Sequence, residues 1–282
     1  MYPNLFRLPE WFPVLGGEPI TSFGVMMLLS FLTAGYLLRA EMDRMEMNPD
    51  QAWDLLFMAV VGGILGAKIY YMLLNFPRLV ADPATMIFSR GGMVWYGGFL
   101  LAAALVLWKA RQLGLSLPKI LDASAPALAL AYAVGRVGCF LVGDDYGRPT
   151  DSWVGIAFPN GTPPTRVDIL ESQFGVEVDP ALVEQFGQVV PVHPTQLYEI
   201  GLSTLFFFVL WSMRKHRHAT GWLFSVWLIL AGVERFLVEF FRAKDDRFLG
   251  VFTVAQLISV LLVATGVYWT LRLRRNEAVA GA

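Results

Sequence analysis

Residues 135–148 read GRVGCFLVGDDYGR, and they decide the fold because they set a guanidinium among groups that belong in lipid. Arg136 follows the small and apolar run ASAPALALAYAVG, residues 123–135, and precedes another, VGCFLVG, residues 137–143. A charge at the centre of a membrane span costs about 2.5–3.5 kcal/mol on insertion scales, so such a residue usually faces the protein interior or a wet cavity and has a task. The flanking glycines let a helix or a lipid headgroup approach closely. The stretch therefore reads as an anion-binding group buried in a bilayer.

The rest of the chain agrees with a membrane reading. Of its 282 residues 56% are hydrophobic and only 16% charged, with a mean hydropathy of +0.53, far from an ordinary soluble domain. The net charge of −1 says nothing about nucleic acid, and the sequence has no basic stripe with interleaved aromatics to suggest it as a partner. A single cysteine, Cys139, excludes an intrachain disulfide framework and a Cys-rich metal site. Seven apolar stretches, near 19–38, 53–75, 92–110, 119–142, 194–213, 219–241 and 250–271, predict an all-α polytopic membrane protein of about seven transmembrane helices. One polar insert, 144–192, rich in Pro, Gly, Asp and Thr, predicts a small extracytoplasmic cap within that single membrane domain, with WVGIAF, residues 153–158, as a strand. The opening MYPNLFRLPEWFPVLGG lacks the layout of a cleaved signal and reads as an interfacial lead-in, with Trp11 and two Phe at headgroup depth.

Orientation follows from the cations. Arg39, Arg44, Lys109, Arg111, Lys119, Arg214, Lys215, Arg217, Arg272, Arg274 and Arg275 cluster at one set of ends. Arg7, Arg78, Arg90, Arg148, Arg166, Arg242, Lys244 and Arg247 are spread thinly over the other and mixed with acids. The first set is expected to be cytoplasmic, which puts the N-terminus and the insert outside and the C-terminus in the cytoplasm. The remaining cations, Lys68, Arg136 and Arg235, fall one each on the second, fourth and sixth stretches. At 1.5 Å per residue each lies roughly 20–25 Å from its cytoplasmic end. Phe23, Trp95, Tyr96, Tyr198 and Glu199 open the first, third and fifth stretches at similar depth, so polar groups from six segments converge on one layer near the outer headgroups.

Two helical faces sharpen the site. In GVERFLVEFFR, residues 232–242, Arg235, Glu239 and Arg242 are spaced by four and three and share a face, so each guanidinium can pair with Glu239. The plainer reading is an ion pair that locks helices. Tyr132, Arg136, Cys139 and Gly143 share a face of the fourth stretch. A cation one turn from Cys139 favours its thiolate, against which stands the plainer reading of a small buried hydrophobe. Asp144 and Asp145 have three readings: cation ligand, base, or solvated helix end. His193 precedes Pro194, which suits a first helical turn, so His193 is either a cap or a site residue. His216 and His218 belong to a basic surface loop.

These segments together resemble the prolipoprotein diacylglyceryl transferase family of bacterial membrane enzymes. The resemblance runs through PITSFGVMM, GGILGAKIYY, RGGMVWYGGF, GRVGCFLVGDDYGR, VHPTQLYE and GVERFLVEFFR with LGVFTVAQLIS, in order and at the family's spacing. It implies a seven-helix body with an external head, in the bacterial cytoplasmic (inner) membrane. The implied reaction moves diacylglyceryl from phosphatidylglycerol to the lipobox cysteine thiol of a prolipoprotein signal peptide and releases glycerol phosphate; no cofactor, metal or nucleic acid is implied. Gly135, Arg136, Gly138, Phe140 and Gly147 fit the family signature. Cys139 and Val142 replace its two asparagines, and Asp144 its glutamate. Tyr96 stands where many members have a histidine proposed as base, Phe23 where many have tyrosine, and Lys68 where arginine is usual. Arg235, Glu239, Arg242, His193, Gln196, Tyr198 and Glu199 match.

The expected catalytic set is therefore Arg136 and Arg235 as phosphate clamps with Tyr96 and Asp144 lining the site. The expected substrate-binding set is Lys68, Cys139, Gly147, His193, Glu199, Glu239, Arg242 and Phe23. Forked guanidinium donors in a low-dielectric site suit charge growing on phosphate oxygens. Two other readings remain open: a related lipid transferase with another acceptor, and a non-catalytic lipid-binding membrane protein or transporter. Against transport stand the lack of repeated halves and the single depth of the charges.

Overall fold

The computed structural model describes residues 1–11, 17–89, 91–243, 247–248 and 252–280. In chain order, β1 (Asn4–Arg7) pairs antiparallel with β2 (Pro19–Thr21) and leads into α1 (Ser22–Arg44) and α2 (Gln51–Leu74). The short helices α3 (Phe76–Ala81) and α4 (Pro83–Phe88) precede α5 (Trp95–Gln112) and α6 (Leu117–Val142). Two more short helices, α7 (Val167–Phe174) and α8 (Pro180–Phe186), are followed by α9 (Thr195–Met213) and α10 (Trp222–Glu239). A minimal pair, β3 (Arg247–Phe248) with β4 (Phe252–Thr253), leads into α11 (Val254–Ala280).

Each predicted apolar stretch falls on a helix of at least 18 residues. Among the described residues five helices are long and apolar enough to cross a membrane: α1, α2, α6, α9 and the Val254–Arg274 part of α11. The protein is thus a mostly helical, polytopic membrane protein. Its long helices leave Leu, Ile, Phe and Trp side chains exposed along much of their length, as lipid-facing surface requires. The other two are shorter, at 18 residues each. In α10 the charges Glu234, Arg235 and Glu239 interrupt the apolar run, and α5 ends on KARQ. Helix α1 runs past the expected end at 38, because LLRAEMDR is built of strong helix formers, and stops before Pro49. The N-terminal hairpin was not expected. Phe12, expected at headgroup depth, and Arg90 and Lys244, counted in the charge bias, lie outside the described residues.

Packing divides the chain into two units, 34–124 and 1–33 with 125–282. In the 34–124 unit α2 and α5 meet along a seam of small residues. A methyl group at Gly66 would collide with the carbonyl oxygen of Gly97, and one at Gly62 would come within 2.6 Å of the Ala102 backbone. Close backbone approach of this kind replaces the hydrophobic effect as the driving force between helices in lipid. Met42, Ala52, Leu55, Ala110, Ile120 and Ala123 form a buried cluster in this unit.

The other unit holds α6, α9, α10 and α11, with α10 and α11 again in close contact where Gly232 faces Ser259. Residues 146–192 build a core of their own around Tyr146, Phe158, Leu170, Val190 and Val192. The expected strand at 153–158 is not one. Ile156 makes a single antiparallel bridge to Val192, and the Phe158 N–H turns to Thr165 Oγ1 instead of a neighbouring strand. Gly155 and Pro159 flank a run too short to propagate a ladder.

Candidate active site

Helix α6 ends on Gly143, whose φ of +73° closes the last turn, with its N–H donating to the Cys139 carbonyl at 2.8 Å. Asp144 and Asp145 follow. Asp145 also takes a left-handed φ of +56°, unusual for a residue other than glycine. The first turn of α9 holds both peptides: Gln196 Nε2 donates to the Asp144 carbonyl at 2.5 Å, and Thr195 Oγ1 to that of Asp145 at 2.7 Å. Thr195 and Gln196 are fully buried. This grip aims the Asp145 carboxylate back over the end of α6.

Three guanidiniums and three carboxylates then close a ring. Arg136 Nη1 bonds Asp145 Oδ2 at 2.8 Å, and Arg242 Nη2 bonds Asp145 Oδ1 at 2.8 Å. Arg242 Nε lies 4.0 Å from Glu239 Oε2, which sits 2.6 Å from Arg235 Nη2. Arg235 Nη1 lies 3.9 Å from Glu199 Oε1, which accepts from Arg136 Nη2 at 2.9 Å and so completes the circuit. With every member ionised the ring is neutral, the condition for keeping charges away from water. Two oxygens, Oε2 of Glu199 and Oε2 of Glu239, are buried beside guanidinium nitrogens without an aligned hydrogen bond; charge, not direction, holds them.

The ring is unevenly open. The Glu199 and Glu239 side chains are 0% and 3% exposed and those of Arg136 and Arg242 12% and 15%, whereas Arg235 is 32% and Asp145 42% exposed. Arg136, expected as a phosphate clamp, is the most heavily bonded member among the described residues. It donates from Nε to Tyr132 Oη at 3.1 Å, lies over the Tyr132 ring, and donates from Nη1 to Cys139 Sγ at 3.5 Å. Tyr132 Oη donates in turn to Glu199 Oε1 at 2.8 Å. Among the described residues Arg235 has one close partner, Glu239, and is the guanidinium with donors to offer.

The adjacent acids differ. Burial raises Asp145, but Arg242 and Arg136 outweigh it and hold its carboxyl down to about 2. Burial and the Asp145 carboxylate push Asp144 up to about 6, against the opposing pull of Cys139 and the guanidiniums. Asp144 Oδ1 is buried with no hydrogen-bond partner. Ligand atoms of Cys139, Asp144 and Asp145 lie within 4.8 Å of one another, a spacing that suits a metal ion, but the Arg136 guanidinium already supplies the positive charge there.

The remaining expected residues fall in several places. His193 Nδ1 meets Tyr198 Oη at 3.0 Å, beside Phe241, and burial lowers its pKa. Gly147 donates to the His193 carbonyl at 2.8 Å, and a methyl group there would strike the Phe241 carbonyl, so its place is set by backbone packing. Phe23, at the start of α1, packs against Gly138. Lys68 and Tyr96 belong to the 34–124 unit. Lys68 is 9% exposed, and its Nζ donates to the Ser89 carbonyl at 2.7 Å, Ser89 Oγ at 2.8 Å and the Gly91 carbonyl at 3.0 Å, which uses all three N–H bonds. Tyr96 is 47% exposed, with its ring edge-on to Trp95.

Sequence reasoning left the role of Asp145 open among three alternatives and gave Thr195 no part. Their only local signal is a pair of acids immediately after a glycine-closed helix. It also missed a buried pair inside the same unit, Glu234 with Ser203 Oγ at 2.7 and 2.8 Å.

Comparison with known proteins gives a consistent result. The family model described as prolipoprotein diacylglyceryl transferase matches residues 9–272. A phosphatidylglycerol–prolipoprotein diacylglyceryl transferase of Clostridium tetani is 29% identical over 270 residues, covering 95% of this chain and 96% of its own. One from Vibrio vulnificus is 32% identical over 274 residues, covering 94% and 90%. One from Xanthomonas oryzae pv. oryzae is 33% identical over 263 residues, covering 89% and 86%.

Proposed function

The chain belongs to the prolipoprotein diacylglyceryl transferase family, and from that premise we propose that it transfers the diacylglyceryl group of phosphatidylglycerol to the lipobox cysteine thiol of prolipoproteins in the bacterial inner membrane. The observation that carries the reading is the ring of arginines and carboxylates at the junction of α6, α9 and α10, with Arg235 open at its edge. In the reaction the acceptor sulfur attacks the glycerol carbon that bears the phosphate. A C–S bond forms as the C–O bond breaks, and the electron pair stays on the phosphate oxygen, which leaves as glycerol phosphate. Arg235 takes the developing charge through its unused donors, and Arg136, tied to it by the shared carboxylate of Glu199, completes the clamp on the phosphate together with Arg242. Asp144, with an unpartnered buried oxygen and a carboxyl near 6, receives the thiol proton.

The topology that accompanies this reading has seven crossings, with α5 and α10 joining the five more apolar helices. Residues 144–192 and the N-terminus lie outside and the C-terminus in the cytoplasm. It is supported by the cation clusters Lys109–Arg111 and Arg214–Arg217 at the ends of α5 and α9. His193 and Phe23 are assigned to the acceptor and lipid surroundings. The test is transfer from labelled phosphatidylglycerol in vesicles to a lipobox peptide. Arg235→Ala should lower the rate by about 100-fold or more, the scale of losing one oxyanion donor. Wild-type protein that moved no lipid to the peptide, or an unimpaired Arg235→Ala, would sink the proposal.

A further inference from the structure

An ion-pair ring that is already neutral has little attraction for a phosphate. To bind one, it has to release a carboxylate. Glu199 and Glu239 are held on helices with almost no exposure, so releasing either would strand a buried charge. Asp145 is different. It sits on the loop after α6, its side chain is 42% exposed, and its backbone is fixed by Thr195 independently of its carboxylate. Rotation about its side-chain bonds is enough to move the carboxylate to water while both arginines stay in place.

Resting on the function proposed above, we infer that Asp145 is an internal stand-in for the lipid phosphate: its carboxylate fills the fork between Arg136 Nη1 and Arg242 Nη2, withdraws when phosphatidylglycerol enters, and returns to expel glycerol phosphate. The chemistry matches. A phosphodiester offers two equivalent oxygens bearing one negative charge, as a carboxylate does, and both accept from guanidinium forks. Exchange of one for the other leaves the ring neutral. The product is a phosphomonoester with a second pKa near 6, so it carries close to two charges and binds the bare fork more tightly than the substrate does. A carboxylate tethered beside the fork competes with it at high effective concentration, which makes Asp145 a device for product release.

The experiment measures binding of glycerol phosphate by calorimetry, and its inhibition of lipid transfer, for the wild type, Asp145→Asn and Asp145→Gly in lipid nanodiscs. Glycine suits the left-handed backbone at this position better than aspartate does, so the second variant keeps the fold should the first lose it. Both variants should bind glycerol phosphate at least about tenfold more tightly, as removing a competing charge from a paired site predicts, with a lower KM for phosphatidylglycerol and slower turnover. Equal or weaker binding in both overturns the stand-in role, because a residue that merely positions the arginines weakens the site when removed. The binding comparison decides this even if the wild type transferred no lipid, in which case only the assigned function would fall.

Discussion

Arg136 and Lys68 are both cations on apolar membrane helices, yet the protein satisfies them in opposite ways. Lys68 is surrounded by neutral oxygens of Ser89 and Gly91, and each of its N–H bonds has a partner. Its charge ties α2 to the segment before α5 and is spent locally. Arg136 faces carboxylates that it shares with Arg235 and Arg242, so a change at any one member alters the charge balance of all. Cation depth along a helix therefore does not by itself distinguish a strap from a site. The distinguishing feature is whether the partners are dedicated or shared, and whether the shared network has an exposed member.

The comparison breaks most sharply at Glu199, the fully buried carboxylate that Arg136, Arg235 and Tyr132 all approach. Glu199→Ala leaves two guanidiniums without their common partner. It should reduce transfer by about 100-fold or more and cost about 3–5 kcal/mol of stability, the usual result of halving a buried ion pair. Rates in vesicles and unfolding midpoints in detergent check both. A Glu199→Ala protein with normal turnover would show that the ring is only a structural lock.

How far the sequence reveals this contrast depends on how local each feature is. The long helices were legible because each coincides with an apolar run whose pattern does not depend on distant residues. The Arg235–Glu239 pair was legible because i,i+4 spacing on a helix fixes the neighbours. Glu239 was also expected to serve Arg242, but Arg242 makes its close bond to Asp145, 97 residues away in sequence. That bond exists because Asp145 turns left-handed and Thr195 and Gln196 grip the carbonyls of Asp145 and Asp144, an arrangement no local period announces. The dedicated partners of Lys68 were hidden for the same reason, since they lie 21 and 23 residues away outside any regular helix face. The strand expected at 153–158 failed in the opposite direction. Its β-rich composition was local, but the pairing that would make it a strand was not.

The adjacent acids sharpen the comparison within the ring itself. Asp144, at about 6, holds its proton more tightly in the folded protein than in the unfolded chain. Between about pH 4 and 6 the native state therefore binds more protons than the unfolded one, and this group's contribution to stability falls as pH rises. Asp145, at about 2, behaves inversely, with stability present above pH 4 and lost on acidification toward 2. If Asp144 receives the thiol proton, transfer should rise with pH through about 6 and then level. Asp144→Asn should lose about 100-fold and that rising limb together. A pH–rate profile of the variant that kept the wild-type inflection would assign the proton to another group.

The smallest effect is expected at Lys68, and it is the one that separates strap from binding group. Lys68→Met preserves the length of the stem and removes only the donors, leaving the Ser89 and Gly91 carbonyls without the ammonium. Ser89 and Gly91 are exposed and can turn their oxygens to water, so the loss costs about 0.5–1.5 kcal/mol and the unfolding midpoint should drop slightly. The KM for phosphatidylglycerol should move by less than about threefold, well under 1 kcal/mol of binding, because an ammonium with three protein partners has no N–H left for a lipid. Lys68→Arg is the informative companion. Its planar fork matches the three converging oxygens poorly and so costs stability too, but it places unused donors where the lysine has none. A KM that rises in the methionine variant and recovers in the arginine variant would place Lys68 with the shared network and remove the distinction between the two cations.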